Sequence, residues 1–356
     1  MFSVCAILFV LILLFVCIWK ANWAATKVLH PHDNSKLLEE AQQSNTRGLT
    51  LVKQGKYAEA EQEWRKALDI TVRVLGTEHP NTLTSRNNLA GVLWEQGKNA
   101  EAEAEHRVVL AIRQRVLGAE HPDTLMSRNN LTNVLGAQGK YAEEEAENRA
   151  VLAIRQRVLG AEHPETLMSR TNLAIAMQAQ NKSVEAEAEF RALLAIQQRV
   201  LGPEHPDTLA TPMNLAGALM SQGKCVEAEK EYRKNVQIKT RVLGATHPDT
   251  LASRMGLANA LSGENKNAEA ENEHREVLPI MERVVGVEHP AVSQSCHNLA
   301  LCLGRQGKFK EAFTFIQRAE AGRVKVFGSE HPDSKESKKA REQIETVLKL
   351  QHASGK

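Results

Sequence analysis

Aromatic side chains are scarce in this chain of 356 residues, at 4% of the total. The apolar share is 42%, and much of it is alanine and leucine. With abundant Glu, Arg, Gln and Asn, that composition favours helix throughout. Cysteine is sparse as well, with five in all. Cys5 and Cys17 sit in an N-terminal apolar run, and Cys225, Cys296 and Cys302 are scattered without CxxC or zinc spacing. A disulfide framework and a structural zinc site are therefore not expected. No excess of either charge exists: 45 basic residues face 43 acidic ones, for a net +2. Nucleic-acid binding wants a basic excess or stripe, so none is expected. The motifs HExxH, GxSxG, P-loop and GxGxxG are all missing. No catalytic residue, cofactor, metal or small-molecule substrate is expected.

One long apolar run does exist, from Val4 to Trp19, followed by Lys20 and Lys27. It is short for a spanning helix, which needs roughly 20 residues, but its flanks can extend it. A cleaved signal peptide is the rival. Met1-Phe2-Ser3 carries no basic side chain, and Lys20-Ala-Asn-Trp-Ala-Ala25 is a poor cleavage zone, so an uncleaved membrane anchor is favoured. Both lysines follow the run, which places the rest of the chain in the cytoplasm. The sequons at Asn130 and Asn181 agree, since a glycan on Asn130 would obstruct the groove described below. A secreted or periplasmic location is the alternative if residues 1–25 are removed.

The rest is a repeat. His-Pro recurs at His79, His121, His163, His205, His247, His289 and His331, always 42 residues apart. Gly-Lys or Asn-Lys keeps the same period at Gly55, Gly97, Gly139, Asn181, Gly223, Asn265 and Gly307. A strict period of this length marks a solenoid. Each unit reads as two helices. In the second unit proline suits the first turn at Pro80, Leu83, Leu89, Ala90 and Leu93 follow helical spacing, and Gly97 ends the helix. The second helix starts at Asn99 or Ala100 and closes at Leu117-Gly118. Such helices must stack on their neighbours to bury an apolar face. A charged helix near Ser334–Gln351 is expected to cap the last unit with Ile344, Val347, Leu348 and Leu350. Pro212 and Pro279, each inside a helix, are expected to kink it or remove a hydrogen bond. Glu144 stands where other units have Ala60, Ala102, Ala186, Ala228, Ala270 and Ala312, and is expected to snorkel or loosen a close helix crossing.

Asn87-Asn88-Leu89-Ala90, Lys140-Tyr141-Ala142-Glu143 and Leu110-Ala111-Ile112 before Leu117-Gly118 resemble the tetratricopeptide repeat in its 42-residue form, nearest to the kinesin light chain family. The resemblance covers about residues 36–332. It implies an all-α fold: an α-solenoid, a right-handed superhelix of seven helix–turn–helix repeats with a C-terminal capping helix. The expected organisation is an anchor at 1–27, a linker at 28–35, repeats at 36–332, and cap and tail at 333–356. Kinesin light chains carry a long heptad segment before their repeats, and Lys20 to Ser35 leaves no room for one. The kinship is thus expected to lie in the repeat alone.

In repeats of this kind the first helices line the concave surface. Aligned there are Asn88, Asn130, Asn172, Asn214 and Asn298, with Asn87 and Asn129 beside the first two, and Gly256 in unit six. An amide both donates and accepts, so an asparagine ladder can hold an extended peptide backbone. The resemblance implies the same, since asparagines there contact cargo peptides. Met126, Met168, Met213 and Met255 offer adaptable apolar contact. Thr84, Met126, Met168, Ala210, Ala252 and Gln294 provide no basic clamp for a C-terminal carboxylate, and Arg86, Arg128, Arg170 and Arg254 are expected to pair with glutamates of the adjoining helix. His106 and His274 occupy the place of Trp64, Phe190 and Tyr232 and read as packing residues. The expected function is a non-enzymatic scaffold, membrane-tethered through residues 4–19, that binds extended segments of other proteins. A motor-linked cargo adaptor and an accessory subunit of an enzyme on another chain are the alternatives.

Overall fold

The computed structural model describes residues 31–354. The apolar run at 4–19, and with it the expected anchor, lies outside the described residues. Among the described residues no helix is long and apolar enough to cross a membrane. They form fifteen helices and no strand. Unit one is α1 (Pro31–Lys53) and α2 (Tyr57–Leu75), and unit two is α3 (Pro80–Glu95) and α4 (Asn99–Leu117). Unit three is α5 (Pro122–Ala137) and α6 (Tyr141–Leu159), and unit four is α7 (Pro164–Ala179) and α8 (Ser183–Val200). Unit five is α9 (Pro206–Ser221) and α10 (Cys225–Leu243), and unit six is α11 (Pro248–Gly263) and α12 (Asn267–Val285). Unit seven is α13 (Pro290–Arg305) and α14 (Phe309–Phe327), and α15 (Pro332–Ser354) follows. The first helix begins at Pro31, so residues 31–35 are helical rather than linker.

The His-Pro pair is a helix start. Each of its histidines accepts, through Nδ1, a hydrogen bond from the backbone N–H two residues on, at 3.2 Å in α3, α5, α7, α9, α11, α13 and α15 alike, and those before α3 to α13 are extended. That satisfies one of the donors a helix start leaves free, and the next residue, proline, has no N–H to satisfy. At the turn between paired helices the backbone needs positive φ, which glycine supplies; Asn181 and Asn265 adopt it at φ 62° and 63°.

Each helix packs on the next along the chain. The six alanines at the helix crossing are fully buried, which lets backbones approach closely. On the second helices a glutamate gathers partners from its own helix and from the following unit. Glu103 accepts from Gln138 (2.8 Å), Lys140 (2.8 Å) and Arg107 (2.8 Å), and Glu61, Glu145, Glu187 and Glu271 repeat the arrangement. Deeper, Arg113, Arg155, Lys239 and Arg323 cross to the next first helix and donate to Ser127, Ser169, Ser253 and Ser337 at 2.8–3.0 Å. Gln197 meets Thr211 in the same way (2.6 Å). Met281 takes this place in unit six, and the hydroxyl of its counterpart Ser295 is buried without a hydrogen-bond partner.

The prolines do stand inside their helices, α9 keeping 16 residues through Pro212 and α12 keeping 19 through Pro279, each without the N–H its turn would use. Asn235 donates to the carbonyl of Leu209 (2.9 Å), within the turn that Pro212 disturbs. Two expectations change. In the cap, Ile344 is buried and Leu348 packs against the core, but Leu350 is 64% exposed, because the helix outruns the unit it covers. Glu144 does not snorkel. It is buried against Gly136, its Oε2 has no hydrogen-bond partner, and burial pushes its carboxyl pKa up. Unit seven solves the same crossing with Gly304 and Ala312. Replacing Glu144 with alanine is therefore expected to stabilise the chain by roughly 1–3 kcal/mol at neutral pH, the cost of an unpaired buried polar group. With a raised folded pKa, the carboxyl is protonated in both states below about 4.5 and penalises folding only as pH rises above that. Denaturant titrations at pH 4 and pH 7 check this: the gain should be larger at pH 7.

Candidate partner-binding groove

First helices approach one another across repeats: α7 meets α9, α9 meets α11, α11 meets α13, and α13 meets α15. They therefore lie on the inner, smaller radius, and their free faces line the groove. Three positions per helix form that face. The first is Thr84, Met126, Met168, Ala210, Ala252 and Gln294. The second is Asn88, Asn130, Asn172, Asn214, Gly256 and Asn298, and the third is Gly91, Asn133, Ile175, Gly217, Asn259 and Leu301. None of these carries a charge.

The asparagines at the second position are all half-buried. Asn130 donates from Nδ2 to Oδ1 of Asn87 (2.8 Å), so those two amides also brace neighbouring first helices. Asn298 accepts from Gln294 (2.8 Å). Asn87 is half-buried, whereas Asn129 is buried with its Oδ1 unpartnered, so Asn129 is no open contact. Met126 and Met168 are exposed in the groove, at 51% and 42%. Met255 and Met213 are not free groove contacts: Met255 is buried in the core and Met213 packs against it, because they sit one residue earlier on the helix and face inward. The ladder breaks at Gly256 because the Tyr232 ring fills the space a side chain there would need.

The arginines pair as expected, with the second helix of their own unit. Arg86 meets Glu105 (2.5 Å), Arg128 meets Glu147 (3.0 Å), Arg170 meets Glu189 (2.6 Å) and Arg254 meets Glu273 (2.8 Å). His106 and His274 are buried, and burial pushes both pKa values down to about 4. Among the described residues no three His, Cys, Asp or Glu side chains are placed to hold a metal ion. The expectation missed the apolar members of the groove, Leu49, Ile175 and Leu301, all exposed. Their shared register with the asparagines was the available signal. An open cleft of about 840 Å³ lies at the N-terminal end of the groove, lined by Leu38, Gln42, Asn45 and Thr84 among others.

Tetratricopeptide repeat models match residues 40–114, 87–147, 207–283 and 265–325, and a second model of the same repeat matches 166–207. The chain belongs to the tetratricopeptide repeat family. No curated protein matches it. Among solved structures it is similar to the kinesin light chain nearly identical TPR-like repeats of Podosopora anserina, at 33% identity over 58% of this chain and 97% of that one, TM-score 0.48. A Rap protein complexed with Competence and Sporulation Factor shares the fold at 14% identity, covering 83% and 78%, TM-score 0.61. A tetratricopeptide repeat protein from Parabacteroides merdae does so at 14% identity, covering 86% and 99%, TM-score 0.54. The tetratricopeptide units here thus form a repeat scaffold for protein–protein interaction.

Proposed function

We propose that the groove of this scaffold binds extended, largely uncharged segments of partner proteins, without catalysis. The observation that carries this is the row of half-buried asparagines at one groove position, flanked by exposed Met126 and Met168 and by no charge. Packed helices sit roughly 8–10 Å apart, and an extended chain rises about 3.3 Å per residue. One asparagine thus falls to about every third residue of a bound strand, where its amide can take a backbone carbonyl and N–H together. Backbone binding supplies affinity, and the methionines and Ile175 select side chains.

The test is capture of partners from native lysate by the full chain and by a variant with Asn88, Asn130, Asn172 and Asn214 changed to alanine, after confirming equal helicity and stability. Four polar residues at roughly 0.5–1.5 kcal/mol each predict a loss of about thirtyfold or more in affinity. Partners retained at full strength by the variant would sink the groove reading. A motor heavy chain among lost partners would make the protein a cargo adaptor, and an enzyme would make it an accessory subunit.

On the same reading, residues 4–19 tether the scaffold to a membrane with its repeats in the cytoplasm, supported by that apolar run and the lysines after it. Deleting 4–19 is expected to move the protein from the membrane pellet to the supernatant. A mature chain whose mass lacks residues 1–25 would overturn the anchor.

A further inference from the structure

The superhelix touches itself. Turns between paired helices, such as Gly55 and Gly97, lie along one edge, and His-Pro turns along the other. Where the first unit meets the last, the edges come together, α2 against α14. The Tyr57 and Phe327 rings stack at 6.0 Å, and Phe327 stacks on His331 at 4.5 Å. A Cβ added to Gly97 would lie 2.5 Å from Cδ2 of His331, and one added to Gly55 would lie 2.9 Å from Cδ of Pro290. Lys56 and Glu288 bring opposite charges to the same seam.

The repeat supplies its own controls. Tyr57 is 8% exposed, while Tyr141, two units later at the same position, is 39% exposed. Gly55 is buried and Gly97 half-buried, whereas Gly139, Gly223 and Gly307 in the same turn are exposed. The seam, and not the turn itself, covers these residues. It is also a small interface: a ring stack, a histidine edge in a glycine notch, a proline, and opposite charges on Lys56 and Glu288 near one another. The other contacts between non-successive helices, those of neighbouring first helices, are backed by the continuous packing of the helices between them, and the seam is not. In a solenoid the smallest interface opens at the lowest free energy.

We infer that this seam is a latch that holds the superhelix as one closed turn, and that its release widens the groove for an extended partner. The second half rests on the binding function proposed above. A closed turn makes the groove a channel that a free chain end can enter but an internal loop cannot. Partner binding and latch opening are then linked equilibria, and a variant that weakens the latch raises the fraction of chains ready to bind.

Zero-length carbodiimide cross-linking of the full chain, read by mass spectrometry, tests the latch without any partner. In the wild type Lys56 is expected to couple to Glu288. Lys325, which donates to Glu288 from the same unit, couples to it as an internal standard. Gly97→Ala pushes His331 out of its notch, and Phe327→Ala removes the stack. In both, the Lys56–Glu288 product should fall to background while the Lys325–Glu288 product persists. Gly223→Ala carries the same backbone strain, at φ 74° against 72°, with nothing within 4 Å, and should keep both products. Equal Lys56–Glu288 yield in wild type, Gly97→Ala and Phe327→Ala overturns the latch, as does its loss in Gly223→Ala. Stronger lysate capture by Gly97→Ala than by Gly223→Ala supports gating. Capture unchanged despite a lost cross-link overturns gating, and no capture by the wild type overturns the groove reading alone.

Discussion

Arg323→Ala is expected to cost about 3–5 kcal/mol, in the range for losing a buried, fully hydrogen-bonded charge. Its side chain is 2% exposed and joins three helices. Nη1 donates to the carbonyl of Asp333 (2.8 Å), to Ser337 (2.8 Å) and to Glu336 (3.1 Å), and Nη2 donates to Gln294 (2.5 Å). The alanine variant removes this donor from all four acceptors at the joint between α14 and the cap, leaving His297 beside Ser337 and Glu336. Amide exchange in α15 should therefore accelerate more than in α3, alongside a lower denaturation midpoint. The chain itself ranks the milder changes. Lysine works at this place in unit five, where Lys239 reaches Ser253 (3.0 Å) and the Asp249 carbonyl (3.3 Å). Methionine works in unit six at the expense of an unsatisfied Ser295. Arg323→Lys should recover most of the loss and Arg323→Met part of it. An alanine variant within 1 kcal/mol of wild type, on the scale set by a single net hydrogen bond, would show that the ladder of buried cations holds nothing together.

Acid is expected to undo the solenoid in two stages. His106 and His274 are neutral in the fold, with burial pushing their pKa values down to about 4, against 6.5 for a free imidazole. Between those values the unfolded chain binds the extra protons. Stability is therefore full above pH 6.5 and is lost as pH falls toward 4, by roughly 3 kcal/mol for each histidine at the limit. The second stage belongs to the outer glutamates. Hydrogen bonds from Lys140, Lys224 and Lys266 chiefly hold Glu103, Glu187 and Glu229 down to about 2. At Glu271 burial pushes upward, but Lys308, Gln306 and Arg275 outweigh it and the value is again about 2. Their contribution is present above pH 4.5 and disappears as pH falls to 2. Thermal midpoints from pH 8 to pH 2 should decline through both windows. His274→Tyr, which copies Tyr232, should flatten the upper one, and a midpoint independent of pH between 7 and 4 would refute the first stage.

The repeat period, the helix starts at His-Pro, the buried alanines and the arginine–glutamate pairs were all legible in the sequence. Each depends on residues within one unit or on a spacing that recurs seven times. The buried cations were not. A column that reads Arg, Arg, Gln, Lys, Met and Arg looks like a solvated helix face, and only the closeness of the next first helix, with its serine or threonine, turns it inward. Asn129 and Met255 were misplaced for a smaller reason, since one residue of helical rotation separates groove from core. The seam between first and last units could not be read at all, because it depends on the pitch of the whole coil and on no local pattern.

That seam also counts. Local packing follows one pattern along the coil, with exceptions such as Glu144 and Met281, and residues 109–122 repeat identically at 151–164, so a unit could be copied or deleted by recombination with little harm to its neighbours. The meeting of Gly97 with His331 depends instead on the total number of units between them. The same contact is made twice, Gly55 with Pro290 and Gly97 with His331, each joining a turn to the His-Pro start six units on, so an array one unit shorter would keep one of the two and one two units shorter would keep neither. Copy number, which a simple solenoid leaves free to drift, here carries a structural consequence of its own.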